Sequence, residues 1–348
     1  LIPSAYHPPN IPRQDGALGE ALRLKLDGLA KPPGALGRLE DLAVRIGLVQ
    51  NRLDPRLERV RAYVFAADHG LNAEGVSAYP SAVTAAMVAT FLTGRASVNA
   101  LAAACGVEVA VVDAGVDADL APHPGLYGAK VRRGARNAAR EDALEPEEAR
   151  RALLTGTALA RSAAAEGVEA LIPGEMGIGN SASAALILHR LGPAPLEACI
   201  GPGAGHSPEG LERKRAVLAR AATRTGTSDP FEVLCAFGGL EIAMMAGLIL
   251  GAAAERRLIL VDGFISSTAA LLAARLAPEA LDYCVFAHAS AEPGHEILLR
   301  ALGAEPLLRL GLRLGEGTGA VLAAPLARSA AALLTGVARL ADVLGGAA

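Results

Sequence analysis

The 348-residue chain has no tryptophan and only 3% aromatic residues, and no window interleaves aromatics with lysine or arginine as a single-strand nucleic-acid groove requires. The formal charge of −3 also argues against general nucleic-acid binding, so a small ligand is expected. Four cysteines, Cys105, Cys199, Cys235 and Cys284, form no C-x-x-C pair. Neither a zinc site nor a disulfide framework is indicated, and a reducing cytoplasm is the expected setting. Long apolar runs are scarce as well. The most apolar stretch, Ile242–Ala254, lies between Glu241 and Glu255 and falls short of the roughly 20 residues that span a bilayer, so it is expected to be a buried helix. The opening Leu-Ile-Pro-Ser lacks the pattern of an export signal, and neither export nor membrane attachment is expected. No H-E-x-x-H, no histidine pair at i, i+4 and no G-x-S-x-G elbow occurs. That spacing argues against a metal held by Asp68, His69, Asp262, His288, His295 and Glu296, and against a serine nucleophile.

What is present is a recurrence of short apolar runs: Ala62–Ala67, Val107–Val112, Ala170–Ile172, Leu258–Val261, Cys284–Ala287 and Leu307–Leu310. Continuous apolarity over such lengths marks strands buried on both faces. Between them lie helical patterns over Ser81–Ala104, Pro146–Glu166, Ser181–Leu191, Glu209–Thr223, Phe231–Ala254, Ser267–Leu276 and Gly294–Leu302. The alternation predicts an α/β fold with a mainly parallel sheet wrapped by helices. The first sixty residues and the last thirty show helical patterns without strands, so a smaller helical layer beside the sheet is expected from them. Ligands of open parallel sheets gather at the strands' carboxyl ends. There this chain places Asp68-His69-Gly70, Asp113-Ala114-Gly115, Gly174-Glu175, Asp262-Gly263, His288-Ala289-Ser290 and Gly315-Glu316.

Two of these ends carry a glutamate fenced by glycines: Leu314-Gly315-Glu316-Gly317-Thr318-Gly319 and Gly174-Glu175-Met176-Gly177-Ile178-Gly179-Asn180. Glycine lets the backbone approach a bound molecule, so each carboxylate is presented at short range for acid/base work or for recognition of an N–H group. A helix cap at Glu316 is the plainer alternative. Gly177 to Ala182 also fits the G-x-G-x-x-A dinucleotide pattern, which would make the chain an NAD-linked oxidoreductase. Glu175 opposes a pyrophosphate there, and a single phosphate at the helix start over Asn180–Ser183, or a plain cap, fits the residues better. A third glycine loop, Gly201-Pro-Gly-Ala-Gly205, precedes Lys214, which either reaches a phosphate or sits on a solvated helix face.

Taken together, the segments Lys31-Pro-Pro-Gly-Ala-Leu-Gly-Arg-Leu-Glu40, Ala66-Ala-Asp-His-Gly70, Gly75-Val-Ser-Ala-Tyr-Pro80, Gly174-Glu-Met-Gly-Ile-Gly-Asn180, Val261-Asp-Gly-Phe264, His288-Ala-Ser290, Glu292-Pro-Gly-His295 and Arg313-Leu-Gly-Glu-Gly-Thr-Gly319 resemble the nicotinate-nucleotide:dimethylbenzimidazole phosphoribosyltransferases. The resemblance runs in order over nearly the whole chain. It implies a doubly wound α/β domain over residues 61–315, a smaller helical domain from 1–60 and 316–348, and a cytoplasmic homodimer. It implies transfer of the 5-phosphoribosyl group of nicotinate mononucleotide to dimethylbenzimidazole, for the nucleotide loop of cobalamin, with no metal or redox cofactor. By the same resemblance Glu316 is the general base and Glu175 a second catalytic carboxylate whose negative charge favours the developing ribosyl cation. Gly177, Asn180, Gly203, Lys214, Asp262, Gly263 and Ser290 hold the phosphate and ribose, and Ser77, Tyr79, Met87 and Leu314 border the base. The chain departs from the pattern at Val83-Thr84-Ala85-Ala86-Met87, where many members carry a glutamine. That departure puts base selectivity in question, and a looser pocket for benzimidazoles or purines is expected. A non-catalytic nucleotide-binding regulator with the same cleft is the remaining alternative; it has no need of Glu316.

Overall fold

The computed structural model describes residues 6–203 and 205–345. Helices α1 (Gly16–Asp27) and α2 (Arg38–Gln50) precede β1 (Val60–Ala67), then α3 (Ala82–Leu92), α4 (Ser97–Cys105), β2 (Glu108–Gly115) and β3 (Leu126–Gly128). There follow α5 (Pro146–Ala165), β4 (Ala170–Met176), α6 (Asn180–Leu191), α7 (Leu196–Cys199), α8 (Pro208–Ala222), α9 (Pro230–Phe237) and α10 (Leu240–Ala254). The chain closes with β5 (Leu258–Val261), α11 (Phe264–Leu276), β6 (Cys284–Phe286), α12 (Pro293–Ala301), α13 (Thr318–Gly336) and α14 (Leu340–Gly345).

The strands form one sheet in the order β3-β2-β1-β4-β5-β6, every neighbouring pair parallel. Every residue of β1, β5 and β6 is buried, which is why their sequences are continuous apolar runs rather than alternations. Helix α10 packs across β1, β2, β4 and β5, with α5 against it, while α13 packs on β4 and β5 together with α2 and α4. Glycines bring α5 and α10 into backbone contact: a β-carbon on Gly156 would meet the Met244 carbonyl oxygen at 2.0 Å, and one on Gly247 the Leu153 oxygen at 2.0 Å. The order of the sheet reverses between β1 and β4, so the crevice above their carboxyl ends is where a ligand is expected.

Three expectations change in detail. The pattern over Ser81–Ala104 is two helices, broken at Gly94, whose φ of 71° ends α3. The pattern over Phe231–Ala254 likewise breaks at Gly238 and Gly239, where β-carbons would lie 2.4 Å from the Leu234 carbonyl oxygen and 2.4 Å from the His69 ring. Leu307–Leu310 is not a strand; Leu308 makes only an isolated parallel bridge to His288. The edge strand β3 escaped the sequence pattern because it is three residues long and open to solvent on one side.

The segment after α1 meets the segment between α13 and α14. Ala30 N donates to Ala338 O at 2.8 Å and Leu340 N to Gly28 O at 2.9 Å. Helix α13 is long and apolar enough to cross a membrane by length and composition, and half of that window is buried within the fold.

Candidate active site

A cavity of about 710 Å³ opens over the carboxyl ends of β4, β5 and β6. The two glycine–glutamate loops line it, and at Gly174 and Gly315 the other loop occupies the space of a side chain. A β-carbon on Gly174 would lie 2.6 Å from the Glu316 carbonyl oxygen, and one on Gly315 would lie 2.2 Å from Glu175 Oε1. Gly315 and Gly317 have φ of 86° and 84°, and Glu316 itself is held at 62°, a conformation that non-glycine residues rarely adopt. A segment of three successive left-handed residues cannot continue as helix or strand. It turns the Glu316 carboxyl into the cavity immediately before α13 begins.

Both carboxyl groups are buried. Glu316 Oε2 accepts a hydrogen bond from Val98 N at 3.3 Å, the first turn of α4. Burial raises its pKa, the Val98 amide lowers it, and the Asp262 carboxylate raises it again, for a net upward shift. Glu175 is pushed further, to about 8, chiefly by burial and then by the charges of Glu241, Asp262 and Glu316, although Asn180 Nδ2 donates to its Oε2 at 2.5 Å. This shift favours the protonated form of Glu175 at neutral pH. Behind Gly177, His69 Nε2 meets Glu241 Oε1 at 2.6 Å in a fully buried pair.

Two helix N-termini also line the cavity. Gly177, Ile178, Gly179, Asn180 and Ser181 line the cavity at the start of α6, and Gly263 to Ser266 line it at the start of α11. Their free N–H groups and helix dipoles favour an anion between them. Ser290 and Glu292 close the same side. The backbone N–H of Ser290 is already given to His295 Nδ1 at 2.8 Å. His295 Nε2 lies 3.0 Å from Ser267 Oγ, and burial, then His288, pushes this imidazole down to about 3, so it stays neutral and fixes the Ser290 turn. The Ser290 hydroxyl, rather than its amide, is thus the group left for a ligand.

All the residues the sequence assigned to the site face this cavity except Lys214. Glu175, Glu316, Gly177, Asn180, Gly203, Asp262, Gly263, Ser290, Ser77, Tyr79, Met87 and Leu314 line it. Lys214 is fully buried one layer back, its Nζ donating to Ser181 Oγ at 2.9 Å and to Gly201 O at 3.0 Å. Burial lowers it to about 8 against the opposing charge of Glu292. Because the ammonium donates to Ser181 Oγ, that hydroxyl keeps its own hydrogen for the cavity. Asp113, another polar strand end, pairs with Lys130 at 3.2 Å and is not part of the cavity wall.

Helix α3 presents Val83 and Met87 to the cavity; Ala85 packs on the core and Ala86 is exposed, so neither alanine of the departing segment reaches it. Sequence reasoning missed Phe264, Ile265 and Arg313 as lining residues and reached Ser181 only as part of the helix start over Asn180–Ser183. Arg313 Nη1 donates to Gly203 O at 3.3 Å and so ties the Glu316 loop to the Gly201 loop. Its place directly before Leu314-Gly315-Glu316 is the signal that could have found it. The pair Phe264-Ile265 carries no signal beyond that of ordinary core positions. Among the described residues, no group of three or more His, Cys, Asp or Glu side chains is arranged to hold a metal ion.

Comparison with known proteins agrees with this geometry. A family described as phosphoribosyltransferase matches residues 11–343. Nicotinate-nucleotide–dimethylbenzimidazole phosphoribosyltransferase of Cupriavidus taiwanensis is 50% identical over 94% of this chain and 94% of its own. The enzyme of the same name from Dechloromonas aromatica is 50% identical, over 92% of this chain and 93% of its own. A crystal structure of CobT from Thermus thermophilus superimposes with a TM-score of 0.90 at 46% identity, covering 94% of this chain and 98% of that one. With the family match over residues 11–343, half identity to relatives over nearly the whole length and a shared fold, the chain belongs to the nicotinate-nucleotide–dimethylbenzimidazole phosphoribosyltransferase family.

Proposed function

We propose that the cavity binds nicotinate mononucleotide and dimethylbenzimidazole and transfers the 5-phosphoribosyl group between them, giving α-ribazole 5'-phosphate and nicotinate. The observation that carries this reading is the buried Glu316 carboxyl, turned into a cavity also lined by two helix N-termini, on a loop packed against that of Glu175. The nucleotide phosphate lies between the starts of α6 and α11, donated to by backbone amides, the Ser181 and Ser290 hydroxyls and, from behind, the charge of Lys214. One benzimidazole nitrogen forms the bond to the anomeric carbon. As it does, the bond to nicotinate breaks, and its electron pair returns to the pyridinium nitrogen. The other benzimidazole N–H becomes acidic and passes its proton to Glu316, whose raised pKa makes it a stronger base than an exposed carboxylate. The step balances without a redox partner. Holding nucleophile and anomeric carbon in line supplies much of the acceleration.

For Glu175 the burial of its carboxyl favours a role different from the fixed negative charge expected from sequence. With its proton retained at neutral pH it acts as a neutral hydrogen-bonding acid beside the ribose, and it leaves Glu316 as the carboxylate of the pair. Ser77, Tyr79, Val83, Met87 and Leu314 provide the largely apolar side on which a flat base rests. With alanine at position 86, beside Met87, no side-chain amide reaches the cavity from α3, which favours tolerance of more than one base. The dinucleotide and regulator alternatives are not favoured: the family relationship and a buried, built base both speak for transfer chemistry. We further read the protein as cytoplasmic and homodimeric, contributing to the cobalamin nucleotide loop, with residues 1–60 and 316–348 as a smaller helical unit beside residues 61–315. The test is chromatographic: nicotinate mononucleotide and dimethylbenzimidazole incubated with the protein should give α-ribazole phosphate and nicotinate in equal amounts, and no product with any base would overturn the reading.

A further inference from the structure

The base assignment leaves unexplained why a third acid, Asp262, and a histidine, His288, are buried beside Glu316. Asp262 follows β5 directly, and its Oδ1 accepts the backbone N–H of Ala320 at 2.9 Å, in the first turn of α13. That turn begins two residues after Glu316. The same Oδ1 lies 3.3 Å from His288 Nε2, an ion-pair contact rather than a well-aligned hydrogen bond. His288 is in turn bedded on α13: a β-carbon on Gly319 would come within 1.9 Å of its Cδ2. Nδ1 of the ring has no hydrogen-bonding partner among the described residues, and the ring lines the cavity. The strand ends of β5 and β6 thus grip the start of the helix that begins two residues after the base.

We propose that His288 and Asp262 act as a positioning pair for Glu316, Asp262 clamping the first turn of α13 and His288 both holding that carboxylate in place and offsetting its charge. The inference rests on the transferase reading of the same cavity. Geometry makes Asp262 a poor free ligand for substrate at Oδ1, since that oxygen is committed to Ala320 and His288. Burial works against charging the imidazole, but the Asp262 carboxylate outweighs it and holds His288 above its ordinary value. The titratable groups that bear on Glu316 are Asp262 from the end of β5, Glu175 from β4 and, through Asp262, His288 after β6. The first turns of α4 and α13 carry no ionisable side chain. Removing the imidazole leaves the Asp262 charge unopposed, which raises the proton affinity of Glu316 and loosens the clamp together.

The test is a comparison of kcat and KM against pH for the native enzyme, His288→Leu and His288→Gln. For His288→Leu the plateau kcat should fall about tenfold to a hundredfold while KM for both substrates stays within about threefold. Its acid limb should move to higher pH by about one unit. His288→Gln still donates to Asp262 but carries no charge, so it should recover the plateau and keep the shifted limb. An unmoved limb in both variants, or a loss confined to KM, would overturn the pair; the second result would make His288 a substrate ligand. Should His288→Leu not fold, the limb of His288→Gln decides alone. Native protein without transferase activity would sink the transferase reading and the pair with it, whereas an active native enzyme with unmoved limbs sinks only the pair.

Discussion

Gly315 lies so close to Glu175 that a β-carbon on the glycine would stand 2.2 Å from Oε1 of the glutamate. The reverse fit, Gly174 against the Glu316 carbonyl at 2.6 Å, interlocks the two loops. The Gly174 contact is backbone against backbone and the Gly315 contact is backbone against the Glu175 carboxyl, so a shift of either loop presses on the other.

The Gly174→Ala variant tests that interlock. Gly174 lies outside the left-handed region, so the clash with the Glu316 backbone is the only cost of the added methyl. We expect a loss of about 1–3 kcal/mol of stability, typical of overpacking, together with at least a tenfold loss of kcat. Thermal unfolding and steady-state kinetics check both; a variant of native stability and turnover would contradict the interlock.

Glu175 predicts an unusual pH dependence of stability. Its folded pKa, about 8, lies above the ordinary carboxylate value of 4.5, so across that window the unfolded chain releases a proton that the folded protein keeps. Stability contributed by this group is therefore lost as pH rises from about 4.5 to 8. Glu175→Gln should remove that loss and stabilise the fold at pH 8 by on the order of 3 kcal/mol, with little gain at pH 4. Because Gln imitates the neutral acid, kcat at pH 7 should fall by less than about tenfold. Denaturant titrations at several pH values decide it; an unchanged pH slope in the variant would contradict the account.

Lys214 ties nucleotide affinity to pH. Burial holds it at about 8, so above that pH the ammonium behind Ser181 is lost. KM for nicotinate mononucleotide should rise through pH 8, whereas in Lys214→Met it should be about tenfold higher and flat. A KM that stays constant to pH 9.5 in the native enzyme would remove Lys214 from phosphate binding.

How much of this was legible in the sequence depended on the physical signal. Strands buried on both faces announce themselves as continuous apolar runs, and the glycines that flank Glu175 and Glu316 announced a close approach of backbones, though not that each loop is the other's neighbour. Lys214 was readable as a phosphate candidate or a solvated residue, and it is neither at the surface nor in the cavity wall; only the packing of α8 shows the intermediate position. The breaks at Gly94 and Gly238-Gly239 hid inside apolar helical patterns because a helix period does not reveal which glycine takes a positive φ, as Gly94 does, or is crowded by its neighbours, as Gly238 and Gly239 are. His288, Asp262 and Ala320 are brought together across three separate elements, and no local spacing encodes that meeting.

Base choice should follow α3. Val83 and Met87 face the cavity, and position 86 is one turn beyond Val83, where alanine is too short to reach it. Native enzyme should discriminate between dimethylbenzimidazole and adenine by less than about tenfold in kcat/KM, and Ala86→Gln should widen that ratio by a further factor of about ten, the range open to one added polar contact. Equal ratios in the two proteins would place the determinant elsewhere.

The central claim is that Glu316 takes the proton released when the base attacks, and the most direct measurement is kcat and KM for Glu316→Gln beside the native enzyme, with nicotinate mononucleotide and dimethylbenzimidazole as substrates. We predict native formation of α-ribazole phosphate and nicotinate, and in the variant a kcat reduced about a hundredfold to ten-thousandfold with KM for the nucleotide within about threefold. A variant that turns over at the native rate would contradict the account.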